Sequence, residues 1–244
     1  MNFQTKHSIV SMLNNFNFYK DQKKLYNLMY HSIDVEQNSI FTVSFETLRK
    51  QMMILKDHKI DCHHFGVEKP GVCITFDDGH IDNFTKAAPF LIDNKIPFII
   101  FVISDYIGKK VNGLNYVDKL LLKEISASEF CTIGSHGKTH QPLTSLTIND
   151  LTNELIESRL ALEDVVQTEV NFLSFPHGRF NQVVLNEGAK CQYRKFATSK
   201  PVGLSLNEKR LDLIPRHCIF NCDNEKTFTQ KIYGKWDWIA RLSD

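Results

Sequence analysis

GVCITFDDGH, residues 71–80, runs from an apolar, β-branched stretch into two adjacent aspartates and a glycine. GVCITF (71–76) reads as a buried strand. Asp77 and Asp78 then stand just past its C-terminal end. Neighbouring carboxylates repel, and burying either one is costly unless it is paired or bound to a metal. The stretch therefore predicts a strand and, elsewhere in the chain, something that neutralises the two aspartates.

Working outward, further apolar runs read as strands: LYNLMY (25–30), PFIIFVI (97–103), EFCTIGS (129–135), VNFLSF (170–175), KFATS (195–199) and DLIPR (212–216). Segments with helical spacing lie between them. In 147–167, Leu151, Leu155, Leu162 and Val166 share one face, and Thr147 with Asp150 makes an approximate capping box. Residues 45–58 and 83–94 read the same way, with Pro89 a weak point in the second. Strands alternating with helices predict an α/β fold with a parallel sheet and helices outside. At this length the candidate is a distorted (β/α) barrel, closed or incomplete, whose chemistry sits beyond the C-terminal ends of the strands. Asp77 and Asp78 are at such an end. With no internal repeat or linker, residues 24–244 are expected to form one domain behind a polar extension, 1–23, suited to a helical cap or a disordered arm.

The bulk properties exclude several classes. Lys+Arg is 29 and Asp+Glu is 28, a net charge of +1 that gives no footprint for nucleic acid or a membrane surface. The longest apolar run, IPFIIFVI (96–103), is too short to cross a bilayer. The first residues lack the sustained apolar core of a secretory signal, so the expectation is a cytoplasmic protein. None of the six cysteines forms a CxxC pair, which argues against a zinc ribbon or a redox motif and for free thiols.

Three further stretches stand after other strands. GSHGKTHQPL (134–143) carries His136 and His140, four apart, a spacing that can aim both imidazoles at one point. Two imidazoles and a carboxylate suit Zn²⁺ or a similar transition metal and leave a position open for water. HxxxH alone is more often a pair of surface histidines; the paired aspartates at an equivalent strand end shift that balance. FLSFPHGRFN (172–181) ends a strand at Pro176-His177-Gly178, a turn whose backbone N–H groups can face an oxyanion, and LIPRHCI (213–219) puts Arg216 and His217 at the last strand.

In this order the pieces resemble the polysaccharide deacetylase family, also called the NodB-homology or carbohydrate esterase four family, over about residues 24–220. TFDDGHIDNF (75–84) is similar to its first motif, SHGKTH (135–140) to its second, FPHGRFN (175–181) to its third, and LIPRH (213–217) to its last strand. The resemblance implies a distorted (β/α) barrel that removes acyl groups from sugars with a metal, usually zinc, with Co²⁺ or another divalent transition metal as the alternative. It implies Asp78, His136 and His140 as metal ligands and Asp77 as general base. It also implies the backbone of His177 as an oxyanion donor and His217 as general acid. Ser174 stands where many members carry an arginine that contacts the base, so Arg216 is expected to take over that role. His80 receives no role; His31, at a predicted strand end, is expected to be structural, with a place on the pocket wall as the alternative. The substrate implied is an N-acetylated carbohydrate, either polymer or precursor. Alternatives are an O-deacetylase or deformylase using the same site, or a degenerate barrel that binds glycan without cutting it. Oligomeric state stays open.

Overall fold

The computed structural model of the 244-residue chain describes residues 24–34, 39–206 and 212–242, together with residues 7, 8 and 12. Most of the expected extension 1–23 lies outside the described residues. The main sheet has eight strands: β1 (Leu25–Tyr30), β2 (Gly71–Phe76), β3 (Phe98–Val102), β4 (Cys131–Ser135), β5 (Phe172–Ser174), β6 (Lys195–Ala197), β7 (Leu213–Ile214) and β8 (Arg216–Cys218). Every ladder in it is parallel, and the order is β8-β1-β2-β3-β4-β5-β6-β7.

The two ends of that order are successive pieces of one segment, separated by Pro215. Residues 213–214 pair with β6 and residues 216–218 with β1. The sheet thus curls back on itself through the covalent chain. The result is a distorted barrel rather than one sealed by a continuous ladder. Pro215 lacks an N–H to give to either neighbour, which suits it to the switch point.

Period-two alternation sorts the strand side chains into two faces. Leu25, Cys73, Ile99, Phe101, Ala197 and Ile214 form an apolar plug with Phe65 and Leu204. Leu28, Ile74, Ile100, Leu173 and Phe196 belong to the other, larger cluster, which the helices cover. Toward the C-terminal ends of the strands the plug face turns polar, with buried Asn27, Thr75, Ser174 and Arg216. That change of character marks where the site begins.

The helices are α1 (Phe45–Asp57), α2 (Ala88–Asp93), α3 (Lys119–Ser126), α4 (Ile148–Val166), α5 (Gln182–Lys190) and α6 (Glu225–Ile232). Side-chain caps start five of them, at Ser44, Asp118, Thr147, Asn181 and Asn224. In α4 the Thr147 hydroxyl accepts from the Asp150 N–H, and Leu151, Leu155, Leu162 and Val166 are buried, as their spacing predicts. The 83–94 segment departs from a plain helix. Asn83–Ala87 is a π turn, and regular α geometry starts only at Ala88. Pro89 cannot donate to the carbonyl four residues back, so the ladder is interrupted there. A two-stranded hairpin, Lys110–Val111 with Leu114–Asn115, projects between β3 and α3. All six cysteines are free thiols. Among the described residues no helix is long and apolar enough to cross a membrane.

Candidate active site

Asp77 follows β2 and enters the polar end of the barrel. The Arg216 guanidinium meets it with two parallel hydrogen bonds, Nη1 to Oδ1 at 2.6 Å and Nη2 to Oδ2 at 2.8 Å. The other three Arg216 donors go to Thr75 Oγ1 (3.2 Å), Ser174 Oγ (2.8 Å) and the Thr198 carbonyl (3.1 Å). All five N–H groups of a fully buried arginine are therefore used. The contact expected between Arg216 and Asp77 is present, and Ser174 also takes part, donating to Asp77 Oδ2 at 3.0 Å. Burial alone would raise the Asp77 pKa, but Arg216 and then His136 reverse that and hold it below the ordinary carboxylate value.

Asp78 turns the chain the other way. It lies in the left-handed region at φ 75°, followed by Gly79 at φ 80°. A Cβ on Gly79 would sit 3.1 Å from Val102 Cγ1, so both the conformation and the space favour glycine there. Asp78 Oδ1 is 3.4 Å from the Nε2 atoms of both His136 and His140. Burial again opposes ionisation, yet hydrogen bonding from His136 and His80 holds the Asp78 carboxyl well below its usual range.

The two histidines are aimed by their surroundings. His136 leaves β4, and its Nδ1–H donates to the Ser174 carbonyl at 3.0 Å, which turns Nε2 toward Asp78. His140 sits at φ 64° at the end of a tight loop. Glu154 of α4 holds that loop, accepting from Lys138 N at 2.8 Å, Thr139 N at 2.7 Å and the Thr139 hydroxyl at 3.0 Å. His177, also left-handed at φ 58°, contacts the His140 carbonyl through Nε2 at 3.1 Å. Burial, then the neighbouring His136, pushes His140 down to about 4, so its ring is neutral at pH 7. His136 is shifted upward: burial lowers it, but the carboxylates of Asp77 and Asp78 more than compensate.

Among the described residues, Asp78, His136 and His140 are the group that brings metal-ligating atoms together, all within 4.8 Å of one another. One carboxylate and two neutral-capable imidazoles, with the Arg216-bound carboxylate of Asp77 beside them, match the donor set of an open zinc site. A cavity of about 660 Å³ opens on this cluster, with Phe41, Tyr106, Tyr116 and Phe220 among its walls. A second hollow of about 740 Å³, at the end of α4 beside Tyr193 and Arg194, holds none of these groups.

His217, expected as the general acid, is not among the residues that line the cavity or form the cluster. Arg216 faces the barrel interior, so its neighbour faces out. His217 Nε2 instead lies 3.1 Å from Asp237 Oδ1, outside the cavity. His31, expected to be structural, lines the cavity, and its buried Nδ1 lacks a hydrogen-bond partner among the described residues. The loop after β1 is pinned by Asp82, which accepts from Ser32 Oγ and Ile33 N, each at 2.7 Å, and by Asn83, which donates to the His31 carbonyl at 2.7 Å. His80, given no role in the sequence reading, contacts Asp78 Oδ2 at 3.4 Å.

The sequence profile described as Polysaccharide deacetylase matches residues 66–196, just over half of the chain. The chain belongs to the polysaccharide deacetylase family. A curated relative, YxkH of Bacillus subtilis, a polysaccharide deacetylase by name, is 29% identical over 137 residues, 56% of this chain. Those residues are 47% of YxkH, so the chain spans about half the length of that relative. A polysaccharide deacetylase structure from Bacillus cereus is 27% identical at a TM-score of 0.74, covering 86% of this chain and 69% of that one. A deacetylase of Streptococcus pyogenes, solved with acetate, shares the fold at a TM-score of 0.76 and 22% identity, over 86% of this chain and 98% of that one. In this deacetylase-family barrel the matched segment carries Asp77, Asp78, His136, His140, Ser174 and His177, while His31 and Arg216 lie outside it.

Proposed function

We propose that this chain is a metal-dependent hydrolase that removes an N-acetyl group from a sugar. The observation that carries the reading is the division of labour between adjacent aspartates. Asp78 converges with His136 and His140, while Asp77 is held ionised by Arg216.

In this reading Asp78, His136 and His140 hold a divalent metal, with zinc the first choice for two imidazoles and a carboxylate. Bound there, the metal supplies Lewis-acid polarisation of the acyl carbonyl and a lowered pKa for water. Asp77 accepts the proton of the attacking water. Arg216 and Ser174 fix both of its oxygens, so the base is oriented before substrate arrives. The backbone N–H of His177 faces the developing oxyanion. An amine leaves poorly unless protonated, and we assign that proton to His31 in place of His217. His31 lines the same cavity as Asp77 and Asp78, with Nδ1 buried and unpartnered among the described residues. The proton that Asp77 takes from water is then returned to the leaving nitrogen through an imidazole on the same cavity wall.

Acetate release from an N-acetylated sugar, compared with its O-acetylated counterpart, tests the reaction class. Asp77→Asn is expected to keep the metal and lose turnover by about 10²–10⁴, the usual worth of a general base. Loss of metal together with turnover would assign Asp77 to the ligand set instead. Activity confined to the ester would make the chain an O-deacetylase.

A further inference from the structure

The two oxygens of Asp78 face different partners. Oδ1 is 3.4 Å from Nε2 of both His136 and His140. Oδ2 is 3.4 Å from His80 Nε2. His80 is itself buried, and its ring stacks on Tyr116 at 5.0 Å and 30°. Tyr116 meets Tyr106 edge-on at 4.9 Å. The backbone reinforces the pair, since His80 and Tyr116 form an antiparallel bridge and Val117 N donates to the Gly79 carbonyl at 3.2 Å. The segment that carries the hairpin, one wall of the cavity, is thereby tied to the turn that carries Asp78.

We propose that His80 is a positioning residue for the metal carboxylate: it holds Oδ2, so that Asp78 offers Oδ1 alone to the metal shared with His136 and His140. The inference rests on the metal-dependent reading above and goes beyond it by assigning a residue outside the Asp78–His136–His140 ligand cluster. A carboxylate free to rotate would alternate between one-oxygen and two-oxygen ligation and would blur the open position where water must sit. A donor on Oδ2 removes that freedom. Partners of this kind, behind the ligands themselves, are worth about 10–100-fold in metal affinity. Tyr116 keeps the imidazole from rotating, so the cavity wall and the metal carboxylate are positioned together.

The test is a zinc titration of the chelator-stripped full chain, run on wild type, His140→Ala, His80→Phe and His80→Gln. Phenylalanine keeps the stack on Tyr116 and removes the donor. Glutamine returns an N–H donor on a flexible side chain. His80→Phe is expected to weaken zinc by about 10–100-fold, with affinity restored in large part by His80→Gln. The visible spectrum of the Co²⁺ form should change in His80→Phe and return in His80→Gln, a signature that a purely structural residue would not produce. Thermal unfolding of the metal-free variants separates lost folding from lost positioning. Zinc affinity and Co²⁺ spectrum unchanged in His80→Phe, with His140→Ala defective, would overturn the role of His80 and leave the metal site standing. A wild type that takes up no metal would overturn both.

Discussion

Arg216 and Asp77 show how much of this site is decided one side chain at a time. A buried arginine with five satisfied donors is a rigid clamp, and the flat fork is what lets it grip both oxygens of a carboxylate. Arg216→Lys keeps the charge but not the fork, so turnover should fall while zinc affinity stays near wild type; unchanged turnover would remove Arg216 from the mechanism. Arg216→Ala leaves Asp77 buried and unpaired, which should destabilise the fold by about 3–5 kcal/mol, read by denaturant unfolding. The same residue bears on the placement of His217. Both neighbours were expected at the site, yet adjacent strand residues face opposite ways. With Arg216 facing the interior, His217 beside it faces the other way, and that constraint was available in LIPRH (213–217) without any structure. The two histidines can be compared directly. His31→Gln should cost turnover on the order of 10²–10⁴, the range for a lost general acid, while His217→Gln should cost little. The opposite ranking would return the acid to His217.

At the level of elements, a helix positions a loop it does not adjoin in sequence. Glu154 of α4 is buried and accepts from two backbone N–H groups of the loop between His136 and His140. Glu154→Ala would leave those donors without their carboxylate and loosen His140 relative to His136. Zinc affinity should fall by about 10–100-fold, with His136 still in place; affinity equal to wild type would mean that the loop holds its shape unaided. The helices themselves were legible from 3.6-residue spacing and from the Thr147 cap. The role of Glu154 was not, because a glutamate on an amphipathic helix reads as solvated. Its position between Leu151 and Leu155, on the buried stripe, was the available signal. The π turn at 83–87 was legible only as a weakness at Pro89. Its use, setting Asp82 and Asn83 against the loop after β1, depends on pairing across the fold.

The whole molecule is a distorted barrel whose interior is apolar at one end and polar at the other. Strand and helix alternation predicted the parallel sheet. Closure through Pro215 was not visible, because it depends on two short strands pairing with different neighbours. The electrostatics of the polar end give a pH dependence with a definite sign. His136 binds its proton more tightly than an ordinary imidazole, above its usual 6.5, and that proton must leave before Nε2 can take a metal. His140, at about 4, offers no such competition near neutrality. Zinc affinity should therefore rise with pH across and above 6.5, and binding should release a proton in calorimetry run in buffers of different ionisation enthalpy. Affinity independent of pH in that window would contradict the assigned environment of His136.

The most direct test of the account is acetate release from an N-acetylated oligosaccharide by chelator-stripped protein, before and after zinc is restored, beside His140→Ala. The account predicts no release from the stripped protein, recovery with zinc, and no recovery in the variant. Release that persists without metal, or recovery that ignores the loss of His140, would contradict a deacetylase built on Asp78, His136 and His140.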